Sequence, residues 1–369
     1  MKILVIDTDY QEHIENSYRK YPNLSSLSYV EQKKALEQEN SGPALPCVRA
    51  LSLLGHEVEL IIVNNERLQK AWIKEHSLNS PQKTPTLSAK LHYLIHKKWG
   101  WQEEILEAQV RAYKPDVIYS ITRDLDTAFN MRIKKLTKLY VLQIASKLPT
   151  MDAFKPYDFV VSSLPNQVEY LHNHGTKSYY LKLAFDQTIL ENLQPAALTY
   201  DITHIGGYDQ IHADRNRTLE AVAHAIKLDA WGYGIENLPA ESAIRKNYHG
   251  EAWGSEMFSI LRNSKITITG HVKKVAGDYA NNMRMYEATG VGCLLMVDNK
   301  KNIGDIFVPG KEVVTYDSPE DLVQKIQYYL TNESERAQIA KAGQHRTLTE
   351  HTYEHRMREL CSMLQENLS

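Results

Sequence analysis

Short runs of consecutive apolar residues alternate along this chain with stretches in which apolar positions recur every three or four residues. The first run, Ile3 to Ile6, is wholly aliphatic, which is typical of a strand buried on both faces. Gly55 and Gly175 end two of the helical stretches as C-caps. Further strands are predicted over 58–63, 117–121, 140–144, 159–162 and 179–183. Helices are predicted over 46–54 and 103–113, and another runs from the strand at 159–162 to His174.

The same alternation starts again after an interruption. Pro195 and a polar run break the pattern over residues 184–200. Strands and helices that alternate in this way build parallel sheets with helices on both faces, so we predict an α/β protein with two successive parallel α/β halves. Strands are then predicted over 202–205, 228–232, 266–269, 293–297 and 313–314, and a strand-like stretch ends at 248–250. Helices are predicted over 217–226, 255–262, 284–289 and 319–330, with two more beyond.

Composition narrows the class of protein. The chain has 369 residues, of which 43% are hydrophobic, enough for two cores without a disulfide or metal. With 43 basic and 45 acidic residues it is not built to coat nucleic acid. Cys47, Cys293 and Cys361 have neither disulfide nor zinc spacing, so we expect a reducing, cytoplasmic location. No run reaches the ~18 apolar residues of a membrane span, which leaves only peripheral membrane contact.

One segment of the second half combines several features of an anion site. A helix that begins near Asn282 would direct its free backbone N–H groups at the ligand edge of the sheet, where they could bind a diphosphate. Glu287 could accept hydrogen bonds from ribose hydroxyls. Gly290 and Gly292 permit close packing of this helix on the strand that follows.

This segment resembles the C-terminal domain of GT-B glycosyltransferases, and in particular the CgeB-like (spore-maturation protein type) group. The shared signature is Asn282-x-Arg284-x-Tyr286-Glu287-Ala288-x-Gly290-x-Gly292, and the resemblance extends over about residues 202–358. It implies two Rossmann-like domains that face a central cleft, and transfer of a sugar from a nucleotide diphosphate sugar to an acceptor hydroxyl. It also implies that Glu287 binds the ribose and that the backbone near Asn282 and Met283 holds the diphosphate.

The implied domains are an N-terminal, acceptor-side domain over 1–184, a linker over 185–200 and a nucleotide-sugar-binding domain over 201–350. A final helix over 351–369 is expected to return to the first domain. One position departs from the pattern. Many retaining GT-B enzymes have another glutamate eight residues before the ribose-binding one, where this chain has Tyr279 beside Asp278. Asp278 replaces that carboxylate or the sugar is held differently, so the stereochemical outcome stays open.

Other loops of the second half are candidates for donor binding. The glycine pair Gly206-Gly207 lets backbone N–H groups approach a phosphate, and Arg215 could bind it bidentately; the alternative is a tight turn before a helix rich in arginine. His271 follows a strand, either near the donor or as an ordinary loop histidine. The predicted donor-binding residues are Gly206, Gly207, Tyr208, Arg215, Gly250, His271, Asn282, Met283, Arg284, Tyr286 and Glu287.

Carboxylates in the first half have two interpretations. Asp7-Thr8-Asp9 and Asp124-Leu125-Asp126 have the spacing with which GT-A glycosyltransferases hold a divalent ion. A second α/β half does not fit the GT-A fold, so no metal site is predicted. Asp9 and His13 are instead predicted to act as general base on the acceptor hydroxyl. His351 and His355 lie one helical turn apart but lack a third zinc ligand.

The partners predicted are a nucleotide sugar, as substrate rather than cofactor, and an acceptor that is a glycan, lipid, protein or small molecule. No nucleic acid partner and no further cofactor are expected. Two other functions remain open: a GT-B nucleotide-sugar 2-epimerase, which needs no acceptor, and an inactive binding or scaffold protein. The polar segment 11–44 is expected to shape the acceptor site. Trp72, Trp99 and Trp101 with Lys97-Lys98 could touch a membrane or a glycan, or pack within a loop.

Overall fold

The computed structural model describes residues 1–37, 44–76 and 100–368. The strands are β1 (Lys2–Asp7), β2 (Glu57–Ile62), β3 (Val117–Ser120), β4 (Leu139–Ile144), β5 (Phe159–Ser162), β6 (Ser178–Tyr180), β7 (Tyr200–Ile205), β8 (Asp229–Trp231), β9 (Ser264–Thr269), β10 (Leu294–Asp298) and β11 (Val314–Tyr316). The helices are α1 (Gln11–Lys20), α2 (Tyr29–Glu37), α3 (Ala44–Leu53), α4 (Glu66–Glu75), α5 (Gly100–Tyr113), α6 (Thr127–Ile133), α7 (Pro165–Asn173), α8 (Ala213–Ala225), α9 (Gly254–Arg262), α10 (Lys273–Ala276), α11 (Met283–Gly290), α12 (Pro319–Thr331), α13 (Glu333–Glu350) and α14 (Tyr353–Leu368). Among them, none is long and apolar enough to cross a membrane.

These strands form two parallel sheets, as the alternating pattern predicts. The first has the order β2-β1-β3-β4-β5-β6 and the second the order β11-β10-β9-β7-β8. The chain reverses its direction of travel between β1 and β3 in the first sheet and between β7 and β9 in the second. Crevices at such switch points, beyond the carboxyl ends of the strands, are where open α/β sheets bind ligands. The loops after these four strands are therefore the places to look for the site.

The β1 strand shows why the continuous apolar runs become central strands. Ile3 to Ile6 are all 0% exposed, because helices cover both faces of the sheet. Ile3 and Val5 pack with α3 and α14, while Leu4 and Ile6 pack with α5 and α6. The second sheet is covered by α9 and α11 on one face and by α8 and α12 on the other.

The chain crosses between the two sheets twice, and the two crossings are bonded to each other. Phe185 donates its N–H to the carbonyl of His351 at 2.8 Å, and Tyr353 donates to the carbonyl of Phe185 at 3.2 Å. After the second crossing, α14 packs on the first sheet with Met357, Leu360 and Leu364 in its core. The last helix of the chain thus covers its first strand.

Some local predictions differ from the structure. Segment 11–44, which lacks an obvious period, contains α1 and α2, and their apolar side chains form a small buried cluster. The strand-like stretch predicted to end at 248–250 is reduced to one bridge between Tyr248 and Ala230, after a 3-10 turn. Trp72 is 7% exposed in a small core, which contradicts a surface role. Trp99, Lys97 and Lys98 lie outside the described residues, as does the side chain of Trp101.

Candidate functional site

A cleft of about 610 Å³ lies between the two sheets, at the loops after β1, β7 and β9, which are three of the four switch-point strands. Segments of both halves line it. Nine of the residues singled out from the sequence meet there: Asp9, His13, Gly206, Gly207, Arg215, Asn282, Met283, Arg284 and Glu287. A pocket of this size, with a few polar groups converging on it, has the dimensions of a small-molecule site.

Gly207 and Gly232 must lack side chains because the loops after β7 and β8 lie against each other. A Cβ on Gly207 would lie 2.5 Å from the Tyr233 ring. A Cβ on Gly232 would lie 1.9 Å from the Gly206 carbonyl oxygen, and Gly232 has φ +137°. The loops after β7 and β8 therefore pack backbone to backbone and form one edge of the cleft.

Arg215 supplies a buried positive charge at this edge. It lies in the first turn of α8 and donates from Nη2 to the Gly207 carbonyl. Burial lowers the pKa of its guanidinium to about 10, which leaves it charged at neutral pH. Among the described residues no carboxylate lies within ion-pair distance of Arg215. A buried cation in this setting favours an anionic ligand in the cleft.

His204 lies beneath Gly206 as a neutral imidazole. Its side chain is 1% exposed, and its Nδ1 lies 2.9 Å from the Ile268 carbonyl oxygen. Burial, and then the charge of Arg215, hold its pKa well below the usual range. Since Nδ1 must donate to that carbonyl, Nε2 is the acceptor, and it is buried without a partner in the described structure.

The start of α11 faces the cleft because Asn282 fixes it to β9. The Asn282 side chain accepts from the Arg284 N–H at 2.9 Å, so it is the N-cap. Its amide donates to Thr269 Oγ1 at 3.0 Å and to the Gly270 carbonyl at 3.2 Å. Met283, the first helical residue, lines the cleft. The positive end of the helix is thereby held at the ligand edge of the second sheet.

Arg284 and Glu287 form an ion pair one helical turn apart. Arg284 Nη1 and Glu287 Oε2 are 2.8 Å apart, and the side chains are 14% and 16% exposed. Glu287 is therefore within reach of a ligand in the cleft, and Arg284 holds its carboxylate in one orientation. Side chains three residues apart lie on the same side of a helix, which brings these two charges together.

The carboxyl-end loop of β1 forms the opposite wall. His13 Nδ1 lies 2.7 Å from Asp9 Oδ2. Asn64 holds the Asp9 backbone through two bonds, accepting from its N–H at 3.0 Å and donating to its carbonyl at 2.6 Å. The pair is thus a carboxylate that orients an imidazole, which is the arrangement of a general base. Asp7, behind it, has a pKa raised to about 7 by burial and by the charges of Asp9 and Asp124.

Four predicted donor-binding residues do not line the cleft. Tyr286 is 2% exposed and packs against Phe307 and His351 on the other side of α11. Tyr208 is 1% exposed in the core of the second sheet. Gly250 accepts from the Gly232 N–H at 2.9 Å and so supports the glycine loops from behind.

His271 is the fourth, although its neighbours Gly270 and Val272 line the cleft. Its side chain is fully buried, and its Nδ1 lies 2.6 Å from Asp298 Oδ1. Burial alone would raise the pKa of Asp298, but the His271 hydrogen bond and the charge of Lys300 lower it overall. The His271–Asp298 pair stabilises the loop after β9.

The structure shows the local contacts of the other carboxylates and histidines that the sequence analysis considered. Asp126 caps α6, where its Oδ1 accepts from the Ala128 N–H at 2.8 Å. His351 is buried between α13 and α14, and burial lowers its pKa to about 4. His355 Nδ1 instead lies 2.7 Å from Thr352 Oγ1. In the part of the chain that the structure describes, no cluster of three or more acidic, histidine or cysteine side chains could hold a metal.

Three aromatic residues at the cleft are absent from the predicted set. Trp253 stacks on Tyr233 with ring centroids 6.0 Å apart, and Tyr10 contacts Trp253 at 5.6 Å from the opposite wall. The sequence contains a signal for two of them. Tyr233 stands between Gly232 and Gly234, and Tyr10 directly follows Asp9.

Comparisons with known proteins agree with this geometry. Residues 215–362 match the family model described as glycosyl transferase-like. By sequence, no curated protein matches the chain. Three similar solved structures show the fold: sucrose-phosphate synthase from Thermosynechococcus elongatus (TM-score 0.64, 11% identity, 99% of each chain covered), Anabaena HepE with UDP-glucose (0.63, 11%, 99% of this chain and 100% of that one) and AviGT4 of avilamycin A biosynthesis (0.58, 13%, 100% and 98%).

At these identities the structural likeness establishes the fold, which is the GT-B arrangement of two Rossmann-like domains around a cleft. The family model adds the enzyme class through the domain that carries Arg215 and Glu287. The resemblance predicted both the GT-B fold and the glycosyltransferase class, and both are confirmed. This chain is a glycosyltransferase of the GT-B type.

Proposed function

We propose that the enzyme transfers a sugar from a uridine diphosphate sugar to an acceptor hydroxyl. The observation that carries this proposal is the meeting, in one cleft, of the α11 N-terminus and Glu287 with the Asp9–His13 pair. A uridine nucleotide is favoured because the similar HepE structures hold UDP-glucose or UDP. Membership of the CgeB-like group is part of the same proposal.

In this proposal the second sheet binds the donor. The diphosphate lies against the glycine pair and the start of α11, where Arg215 neutralises the charge that develops on the leaving group. Glu287 accepts from the ribose hydroxyls. Cationic side chains and backbone N–H groups take the place of a divalent ion, so transfer should persist when chelator is present.

The first sheet supplies the base. The acceptor oxygen forms a bond to the anomeric carbon as the bond from that carbon to the diphosphate breaks. His13 Nε2 takes the acceptor proton, since its Nδ1 faces Asp9. UDP leaves with the electron pair of the broken bond.

Donor binding is tested by thermal unfolding with UDP, GDP, dTDP, ADP and CMP, with and without Mn²⁺. UDP at 100 times its Kd should stabilise the protein by about 2.7 kcal/mol, without Mn²⁺. Glu287→Gln should weaken UDP binding at least about tenfold, a loss of about 1.4 kcal/mol, whereas the exposed Glu241→Gln should not. A flat response across the panel would refute the donor assignment.

The base is tested by single-turnover transfer. His13→Gln should slow the step about 10² to 10⁴-fold with UDP affinity unchanged. His224→Gln, an exposed histidine paired with Glu220 at 3.3 Å, is the control. Full activity in His13→Gln would remove the base from the mechanism.

A further inference from the structure

A second, smaller pocket opens beside the cleft at the carboxyl edge of the first sheet. Its volume is about 160 Å³, and it shares Ala145, Leu183, Ala184, Met283 and Tyr353 with the cleft lining. The two spaces are therefore neighbours with a common wall. A cavity of about 150 Å³ with apolar walls is large enough to bind benzene.

The walls of this side pocket are mostly apolar. Ile121, Leu181 and Met357 contribute to it, together with the residues shared with the cleft. Among its polar side chains, Gln143 accepts from the Tyr119 hydroxyl, Lys182 donates to the Asp305 carbonyl at 2.8 Å, and Arg356 donates to Glu359 and to the Glu350 carbonyl. Arg356 Nε is buried without a partner in the described structure. A sugar ring carries hydroxyls on most of its carbons, which would be left unpaired here at a cost in free energy. The pocket fits an apolar group instead.

The side pocket belongs to the acceptor side of the enzyme. Ile121 follows β3, Ala145 follows β4 and Leu181 follows β6, so three strand ends of the first sheet build it. The donor groups Arg215 and Glu287 are carried by the second sheet and do not line it.

The side pocket also lies next to the start of α11, at the donor end of the cleft. Met283, the first residue of α11, borders both spaces. The loop before α11 is tied to the same strand ends, since Asn281 donates to the Ala145 carbonyl at 3.0 Å and contacts the Ser163 hydroxyl at 2.5 Å. An apolar group in the pocket would thus hold an attached hydroxyl at the donor end of the cleft.

We infer that the acceptor is a hydroxyl compound with an apolar group about the size of a benzene ring, and that this group binds in the side pocket. The inference rests on the proposed function, because only a transferase has an acceptor. Binding in the side pocket can be tested without measuring transfer. It places the acceptor among aromatic or branched aliphatic alcohols, or glycosides of them, and not among wholly hydrophilic glycans.

The test uses benzyl alcohol as the probe and glycerol as a hydrophilic comparison. Binding to the protein saturated with UDP is measured by saturation-transfer NMR and by thermal unfolding. Benzyl alcohol should bind saturably and glycerol should not. Ile121→Phe, which fills the pocket and leaves the cleft lining intact, should weaken benzyl alcohol binding at least tenfold, and Ile121→Val should retain it.

The outcomes separate the inference from the proposed function. Equal benzyl alcohol binding by the wild type and Ile121→Phe, or none by either, would overturn the inference even if UDP binds. If the wild type does not bind UDP, the proposed function is overturned, and the same benzyl alcohol comparison made without UDP still tests the inference. If Ile121→Phe does not fold, Leu181→Phe fills the same pocket from β6 and replaces it.

Discussion

At the scale of single residues, burial raises the pKa of one carboxyl group, that of Asp7 behind the Asp9–His13 pair. Asp7 is 7% exposed, and its pKa is raised to about 7 from an ordinary value of 3.8, first by burial and then by Asp9 and Asp124. Between these values the folded protein binds more protons than the unfolded chain. The free energy of unfolding therefore falls as the pH rises through this window.

Replacing Asp7 should remove that dependence. We expect Asp7→Asn to flatten the decline in stability between about pH 5 and 8 by on the order of 2 kcal/mol, measured by urea unfolding. The exposed Asp214→Asn, which makes the same change in net charge, should leave the slope as in the wild type. Parallel curves for Asp7→Asn and the wild type would show that Asp7 titrates normally.

Replacing Gly207 should change the binding of the donor nucleotide. A Cβ there would lie 2.5 Å from the Tyr233 ring, so Gly207→Ala must push this ring away from the glycine pair. We expect UDP affinity to drop about tenfold or more, measured by calorimetry. Gly304→Ala, with no atom within 4 Å of the added Cβ, is the control. Equal affinity in both variants would show that the loops do not set the donor site.

At the scale of elements, α11 and α12 allow a matched comparison of two caps. Asn282 accepts from the Arg284 N–H at 2.9 Å, and Ser318 accepts from the Asp321 N–H at 3.2 Å. Replacing either with Ala should cost about 1 kcal/mol of stability. Only Asn282→Ala should also weaken UDP binding, because it frees the end of α11 at the cleft. UDP binding that falls equally in Ser318→Ala would mean that general destabilisation is the cause.

Element positions could be predicted from the sequence far better than side-chain directions. Apolar runs such as Ile3 to Ile6 are unambiguous, because only a strand covered on both faces buries every residue. The helices α1 and α2 in segment 11–44 could not be predicted, because each buries only a few apolar residues. The order of strands within the sheets, and hence the switch points, came only with the structure.

In the candidate site, too, the position of an element could be predicted but not the direction of each side chain. Asn282, Arg284 and Glu287 line the cleft as the signature predicts, but Tyr286 does not. Neighbours on a helix differ by about 100° in direction, and Tyr286 lies on the side of α11 that packs against Phe307 and His351, away from Glu287. Nothing local to Asp9 or Glu287 shows that these residues face each other, because their approach depends on how two separately formed sheets pack.

At the scale of the whole molecule, the last helix stabilises the first sheet. Leu360 is fully buried in α14, in one core with Ile3 and Val5. Leu360→Ala should cost about 2–5 kcal/mol and lower the hydrogen-exchange protection of β1 and β3. Leu322→Ala, fully buried on α12, should lower protection in the second sheet instead. Reversed or uniform protection patterns would contradict this division of the cores.

The return of α14 has a consequence for synthesis on the ribosome. The core around β1 contains Met357, Leu360 and Leu364, so its apolar surface stays uncovered until those residues have left the exit tunnel. The second domain, whose sheet ends at Tyr316, has most of its core available earlier. Domains usually fold from the N-terminus as the chain emerges. Here we expect the order to be reversed: the second half matures first, and the first half stays incomplete, exposed to chaperones, until α14 has emerged.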